Sequence, residues 1–313
     1  MAVCGLINLN KPAGVSSRQA VNGIARLARP GKVGHAGTLD PIASGVLVVG
    51  VGGATRLIEY VQRMPKTYRA TFLLGRRSAT EDIEGEVVEL VDAPIPSLGD
   101  IELATGRFVG PIQQRPPAFS AIKVAGRRAY DLARRGREVA LPARPVMIHR
   151  IEIVEYCYPQ LVLRVECGSG TYIRSLGRDL AEVLGTAAVM SALVRTAIGP
   201  FRIEEAVKAG ELASESWRPW IQPALRAVEY LPRMRLSAQD ATRLRNGLRI
   251  DGSGLVEKPM VPYSSKVEES VAGEMAAVDE TGQLIGIVVP AEDGSWRTER
   301  NLPTGQGEMK DEG

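Results

Sequence analysis

Residues 33–56 read VGHAGTLDPIASGVLVVGVGGATR, an acid-bearing loop followed at once by an apolar run. Asp40 is the acid, with Gly34, Gly37 and Gly45 around it, His35 before it and Pro41 after it. Residues 46–51 have the unbroken apolar character of a strand buried on both faces. A lone Asp-Pro pair reads as a turn whose carboxylate bonds nearby amides. The glycines add backbone freedom that lets a second molecule come close. One carboxylate on a tight loop beside a rigid strand is a good place for a nucleophile or a base.

Working outward, residues 3–9 read as a first strand and Lys11-Pro12-Ala13-Gly14 as a turn. Ser16 with Gln19 three residues on is a capping-box signature. It predicts a helix to about residue 29, with Val21, Ile24 and Ala28 inward and Pro30-Gly31 as the stop. Residues 54–62 read as a short helix, 67–74 as a strand, 76–85 as a mobile polar loop and 98–108 as a helix. Residues 110–117, GPIQQRPP, read as a rigid proline-rich connection. A strand over 119–124 and a basic helix over 127–135 follow. Residues 144–155 and 161–166 alternate like paired strands, and Gly168-Ser169-Gly170 turns into a helix over 171–184. After Tyr230-Leu231-Pro232 come a helix over 238–246 and short strands, of which 274–279 and 284–290 are the clearest. Long helices with paired antiparallel strands predict an α+β fold. Gly50–Ala54 (GVGGA) fits a dinucleotide fingerprint poorly and reads as tight packing between a strand and the next helix.

The chain has 313 residues, enough for two domains, with 44% hydrophobic content to fill a core. Its apolar runs are too short to cross a membrane, and residues 1–10 lack the pattern of a signal peptide. Cys4, Cys157 and Cys167 show no CxxC spacing, which fits a reducing cytoplasm. With His35 and His149 as the two histidines, no zinc site is expected. Charge is uneven. Residues 251–313 carry 5 Lys/Arg against 13 Asp/Glu, and the remaining 250 carry 34 against 23. A basic body of that size suits a polyanionic partner.

Several further residues have two readings. Tyr68 in KTYRATF is a half-buried strand aromatic or a ring that stacks on a base. Arg174 in GTYIRSLGRDL is a surface arginine or a guanidinium for a carboxylate or phosphate. Together the motifs resemble a family. INLNKPAGVSS, GHAGTLDPIASGVL, GGATRL, KTYRA, PPAFSAIKVAGRRAYDLARRG and GTYIRSLGRDL stand in the order found in the TruB family of pseudouridine synthases, over about residues 5–200. Residues 231–302 resemble the family's small PUA-like domain more weakly.

The resemblance implies a pseudouridine-synthase-like catalytic domain over 1–229, with a central mixed, mainly antiparallel sheet. It includes an RNA-gripping insertion at about 110–140. A β-rich PUA-like domain over 230–302 and a disordered tail over 303–313 complete the expected layout. The implied activity is isomerisation of uridine to pseudouridine at position 55 in the T loop of tRNA, without cofactor or metal. Asp40 takes the catalytic role, Tyr68 stacks on the base, and Arg174 pairs with the catalytic carboxylate. His35 helps recognise the flipped-out stem-loop, while Tyr172 and Leu193 line the uridine pocket. Arg56 stands where many members have lysine. Lys123, Arg127, Arg128, Arg134, Arg135 and Arg137 are the implied grip on the T-arm stem-loop. Ala36 and Phe119 depart from the threonine and tyrosine common in the family. The expected protein is a cytoplasmic monomer with no obligatory protein partner. The alternatives are a dyskerin-like, guide-RNA-dependent synthase and a catalytically silent RNA-binding or folding protein.

Overall fold

A computed structural model describes residues 3–119, 123–124, 127–128, 141–212, 217–252, 254–258, 261, 263, 266–267 and 273–302. The chain forms two compact units, Met1–Pro65 with Ala197–Gly313, and Lys66–Thr196. The fold is α+β, as expected, with mainly antiparallel strand pairing and a separate β-rich C-terminal sheet.

In the first unit, β1 (Gly5–Lys11) pairs antiparallel with β3 (Ser44–Val51), and β2 (Val33–His35) also pairs with β3. The unbroken apolar run of β3 has a direct cause. Val46 and Val48 enter one apolar cluster, while Leu47, Val49 and Val51 enter another on the opposite face. Helix α1 (Ser17–Leu27) begins at the expected capping box and buries Val21, Ile24 and Ala28 against the second cluster. At Gly50 a Cβ would lie 3.0 Å from the Ala54 carbonyl oxygen, which is the tight strand–helix packing read from GVGGA. The segment after β3 is 3-10 helix over Gly52–Leu57 and becomes α-helical only at α2 (Ile58–Arg63), a correction to the single helix expected over 54–62.

The C-terminal strands belong to this unit. They are β15 (Arg233–Arg235), β16 (Leu255–Glu257), β17 (Met275–Val278), β18 (Leu284–Pro290) and β19 (Trp296–Asn301), in the order β16-β15-β17-β18-β19. Ala276, Val278, Leu284 and Ile287 share one apolar cluster with Leu57, Tyr60 and Val61. Buried Glu274 accepts from the Tyr60 hydroxyl at 3.0 Å and pairs with Arg63 at 2.8 Å. Burial, followed by the facing Glu274 charge, pushes the Tyr60 phenol up.

In the second unit, β4 (Lys66–Leu74), β7 (Gly110–Gln114), β10 (Arg144–Cys157), β11 (Gln160–Cys167) and β12 (Ala188–Ile198) run in the order β12-β4-β11-β10-β7. Helices α3 (Leu98–Gly106) and α4 (Ile173–Val183) belong to it. The expected proline-rich connection at 110–117 is in fact strand β7 as far as Gln114. It lies at the end of this order, where Pro111 and its missing N–H are tolerated. The expected loop at 76–85 is a loop from residue 78 on, but it begins in a short strand and is not wholly solvated. Arg76–Arg77 and Val88–Glu89 pair as β5 and β6, and between them Asp82 is 2% exposed. Arg127–Arg128 form β9 opposite β8 (Lys123–Val124), a hairpin in place of the expected helix start, and Phe119 stands in a bend before it. Arg134, Arg135, Arg137 and the tail 303–313 lie outside the described residues.

Candidate active site

The loop of residues 36–43 is built from β2, β3 and the turn before α1. Its backbone is pinned on both sides of Asp40. The buried Ser17 hydroxyl accepts from Leu39 N at 2.8 Å and donates to Leu39 O at 3.1 Å. On the other side, Pro41 O accepts from Gly14 N at 2.8 Å and from Lys11 Nζ at 3.5 Å. Asp40 O itself accepts from Ala43 N at 3.0 Å. Lys11 is fully buried, and its ammonium also donates to Pro12 O and Val15 O at 2.9 and 2.6 Å. A buried cation needs such partners, so this lysine stitches the 11–15 turn to the Asp40 loop. Gly37 and Gly45 carry φ of 88° and 100°, which explains why the loop needs glycine at those positions. The Asp40 side chain stays partly exposed on this fixed backbone. A carboxylate so held is pre-oriented and reachable, as a nucleophile or base must be.

His35 ends β2, opposite Val49, and the strand packs so closely that a Cβ at Gly34 would lie 2.7 Å from Ile58 Cδ1. Arg56 lies on the 3-10 turn, exposed, and its Nη1 donates to Asn301 O at 2.7 Å. His35, Asp40 and Arg56 belong to the first unit; Tyr68, Tyr172, Arg174 and Leu193 belong to the second.

In the second unit, Tyr68 and Phe72 alternate onto the same face of β4, which helix α4 covers. The helix comes so close that a Cβ at Gly177 would lie 2.1 Å from the Phe72 ring. Tyr68 keeps 9% of its surface exposed against 1% for Phe72, so its ring stands at the rim of this layer. Tyr172 caps α4, and Gln114 clamps its peptide, accepting from Tyr172 N at 2.8 Å and donating to Tyr172 O at 3.1 Å. The Arg144 guanidinium stacks over the Tyr172 ring at 5.2 Å. Leu193 is buried on β12.

Arg174 is 6% exposed, so the surface reading fails. Its Nη1 donates to Thr80 O at 2.8 Å and lies 3.4 Å from Asp82 Oδ2, and its Nη2 donates to Phe119 O at 3.1 Å. The cradle for this guanidinium is the 80–82 loop. Asp82 Oδ1 accepts from Thr80 Oγ1 and Glu84 N at 2.6 and 3.1 Å. Glu81 holds φ of 61°, a costly conformation for a non-glycine residue. Its carboxylate is anchored by the Ser175 hydroxyl at 2.9 Å and by Arg178. Burial pushes the Glu81 carboxyl up, against the pull of Arg178 and Ser175. Sequence reasoning missed Ser17, Lys11 and Asp82 as site-building residues. Ser17 and Lys11 were in plain sight inside a quoted motif, and Asp82 was hidden by its acidic neighbours.

The model of the TruB family pseudouridylate synthase N-terminal domain matches residues 25–173, and that of the tRNA pseudouridylate synthase B C-terminal domain matches 174–231. A protein of Arthrobacter sp. (strain FB24), "tRNA pseudouridine synthase B", is 45% identical over 253 residues, 79% of this chain and 82% of its own. The chain belongs to the TruB family. TruB proteins of the same description from Thermobifida fusca (strain YX) and Mycobacterium bovis (strain BCG / Pasteur 1173P2) are 44% and 38% identical. These matches cover 80% and 91% of this chain and 87% and 91% of theirs. Among solved structures, a Cbf5-Nop10-Gar1 complex matches with a TM-score of 0.69 at 27% identity, over 91% of this chain and 78% of that one. An archaeal box H/ACA sRNP Nop10-Cbf5 complex matches at 0.70 and 25%, over 96% and 86%. As a TruB-family tRNA pseudouridine synthase, the chain is an isomerase that converts uridine to pseudouridine in tRNA, and its C-terminal sheet is PUA-like. Among the described residues no helix is long and apolar enough to cross a membrane, and no group of His, Cys, Asp and Glu has the makings of a metal site.

Proposed function

We propose that Asp40 is the catalytic carboxylate and that the substrate uridine is position 55 in the T loop of tRNA. The observation that carries this is the Asp40 loop. Its backbone is fixed on both sides by Ser17, Gly14 and Lys11 while the carboxylate stays reachable, in a chain of this family. The reaction breaks the N1–C1′ bond, turns the uracil and joins C5 to C1′. The proton lost from C5 is balanced by one gained at N1, so no redox partner is required. The base must first leave its stack, which costs a few kcal/mol. Tyr68, at the rim of its layer, is assigned to stack on that base. Arg174 is assigned to support the ionised carboxylate, and the 80–82 loop to hold Arg174 in place. Tyr172 and Leu193 are assigned to the uridine pocket and His35 to the stem-loop. Arg56 keeps the substrate-binding assignment of its motif, in competition with its bond to Asn301. Lys123, Arg127, Arg128, Arg134, Arg135 and Arg137 are assigned to phosphate contact. We read residues 1–229 as the catalytic domain and 230–302 as its appendage, in a cytoplasmic monomer that acts without protein partners.

The likeness to Cbf5 complexes favours a second reading, dependence on guide RNA. The relatives at 38–45% identity carry the tRNA description and favour the first. Incubating the protein alone with an unmodified tRNA transcript and mapping pseudouridine separates them. Product at position 55 supports the first reading. No product until a guide RNA is supplied supports the second.

A further inference from the structure

Asp40 is the first acid of the chain. Residues 1–39 contain Lys11, Arg18, Arg26, Arg29 and Lys32 and no Asp or Glu. Lys11 is buried, whereas the other four are exposed on α1 and the turn that follows it. At about 100° per residue, Arg18, Asn22 and Arg26 fall within an arc of about 80° on α1, turned away from Val21 and Ile24, and Arg29 lies on the turn just after the helix. Arg18 and Arg26 are about 12 Å apart along the axis. The turn carrying Lys32 is held in place, because Lys32 O accepts from Gly52 N at 2.8 Å. Among the described residues, none of these four cations is in an ion pair. Three arginines of the C-terminal region differ: Arg235 pairs with Glu257, Arg249 with Asp293 and Arg297 with Glu299.

The stripe also has a definite position. Arg18 follows Ser17, whose hydroxyl is bonded to Leu39 beside Asp40. The cationic face of α1 therefore begins at the Asp40 loop and runs away from it on the same rigid element. We propose that Arg18, Arg26, Arg29 and Lys32 form a second phosphate-binding surface that takes the tRNA backbone leading to or from the target nucleotide. The surface is separate in sequence from the basic 123–137 segment. The inference rests on the tRNA reading above. An unpaired cationic stripe fits a regular polyanion, and neutralising phosphates releases counterions.

The test compares wild type with the full-length R18Q/R26Q/R29Q variant and with R235Q/R249Q/R297Q, which removes arginines already paired. Affinity for tRNA is measured across a salt series, with melting temperatures as the check on folding. Each phosphate contact contributes on the order of 0.7–0.9 to the slope of log affinity against log salt. The α1 variant is expected to bind roughly tenfold or more weakly at low salt, with a slope shallower by about 2. The paired-arginine variant is expected to keep the wild-type slope. An α1 variant with the wild-type slope overturns the proposal, and so do equal losses in both variants. Loss of retention on phosphatidylserine vesicles with an unchanged tRNA slope also overturns it, by assigning the face to a lipid surface. Wild-type protein that binds tRNA without forming pseudouridine contradicts the catalytic reading alone; wild-type protein that does not bind tRNA removes both.

Discussion

At the scale of single residues, the candidate site is held in shape by Ser17 and Asp82. Ser17 spans both the amide and the carbonyl of Leu39. In Ser17→Ala those buried backbone groups lose their partner, at a cost of about 1–3 kcal/mol. A displacement of an ångström at a reacting group costs about 100-fold in rate. Ser17→Ala is therefore expected to lose most of its single-turnover rate while tRNA affinity changes little, which stopped-flow and filter binding can separate. Equal losses in rate and affinity would count against a purely positioning role. Asp82 plays a matching part for Arg174, in a pair with side chains 3% and 6% exposed. Asp82→Asn preserves shape and removes the charge. Breaking a buried pair costs about 3–5 kcal/mol, so urea unfolding should show a loss of that order together with slower turnover.

At the scale of elements, helix α4 shows how closely two pieces must fit. Gly177 lets the helix lie on Phe72, and an added methyl at 2.1 Å has to push the ring or the helix aside. Gly177→Ala is expected to cost about 1–3 kcal/mol by chemical denaturation. Phe72→Leu in the same chain should recover part of it, and a double variant no better than the sum of the singles would deny the contact. Elements with a single dominant local cause were legible in the sequence. Strand β3 was visible because both its faces are buried, and α1 because Ser16 and Gln19 form a capping box. Strand β7 was not, because Pro111 reads as a breaker until its place at the end of the strand order is known. The 80–82 loop was not, because its acids read as solvated. Its partners Arg174, Ser175 and Arg178 stand more than 90 residues away. Asp40 was legible as a candidate, but the pins from Lys11 and Ser17 needed the fold.

At the scale of the whole molecule, charge is unevenly distributed along the chain. The first 39 residues are free of acid, and the first acid they lead to is Asp40. In the C-terminal region Arg235 pairs with Glu257 and Arg249 with Asp293, while Glu274 and Arg300 tie it to Tyr60, Arg63 and Glu59 of α2. That arrangement suits a rigid support better than a phosphate grip. The central claim is that the pinned Asp40 carboxylate performs the isomerisation. Single-turnover assays of wild type and Asp40→Asn on the same tRNA transcript, with tRNA affinity measured in parallel, test it most directly. Wild type is expected to form pseudouridine and Asp40→Asn none detectable, with similar tRNA affinity for both. Pseudouridine formed by Asp40→Asn at a rate near that of the wild type would contradict that claim.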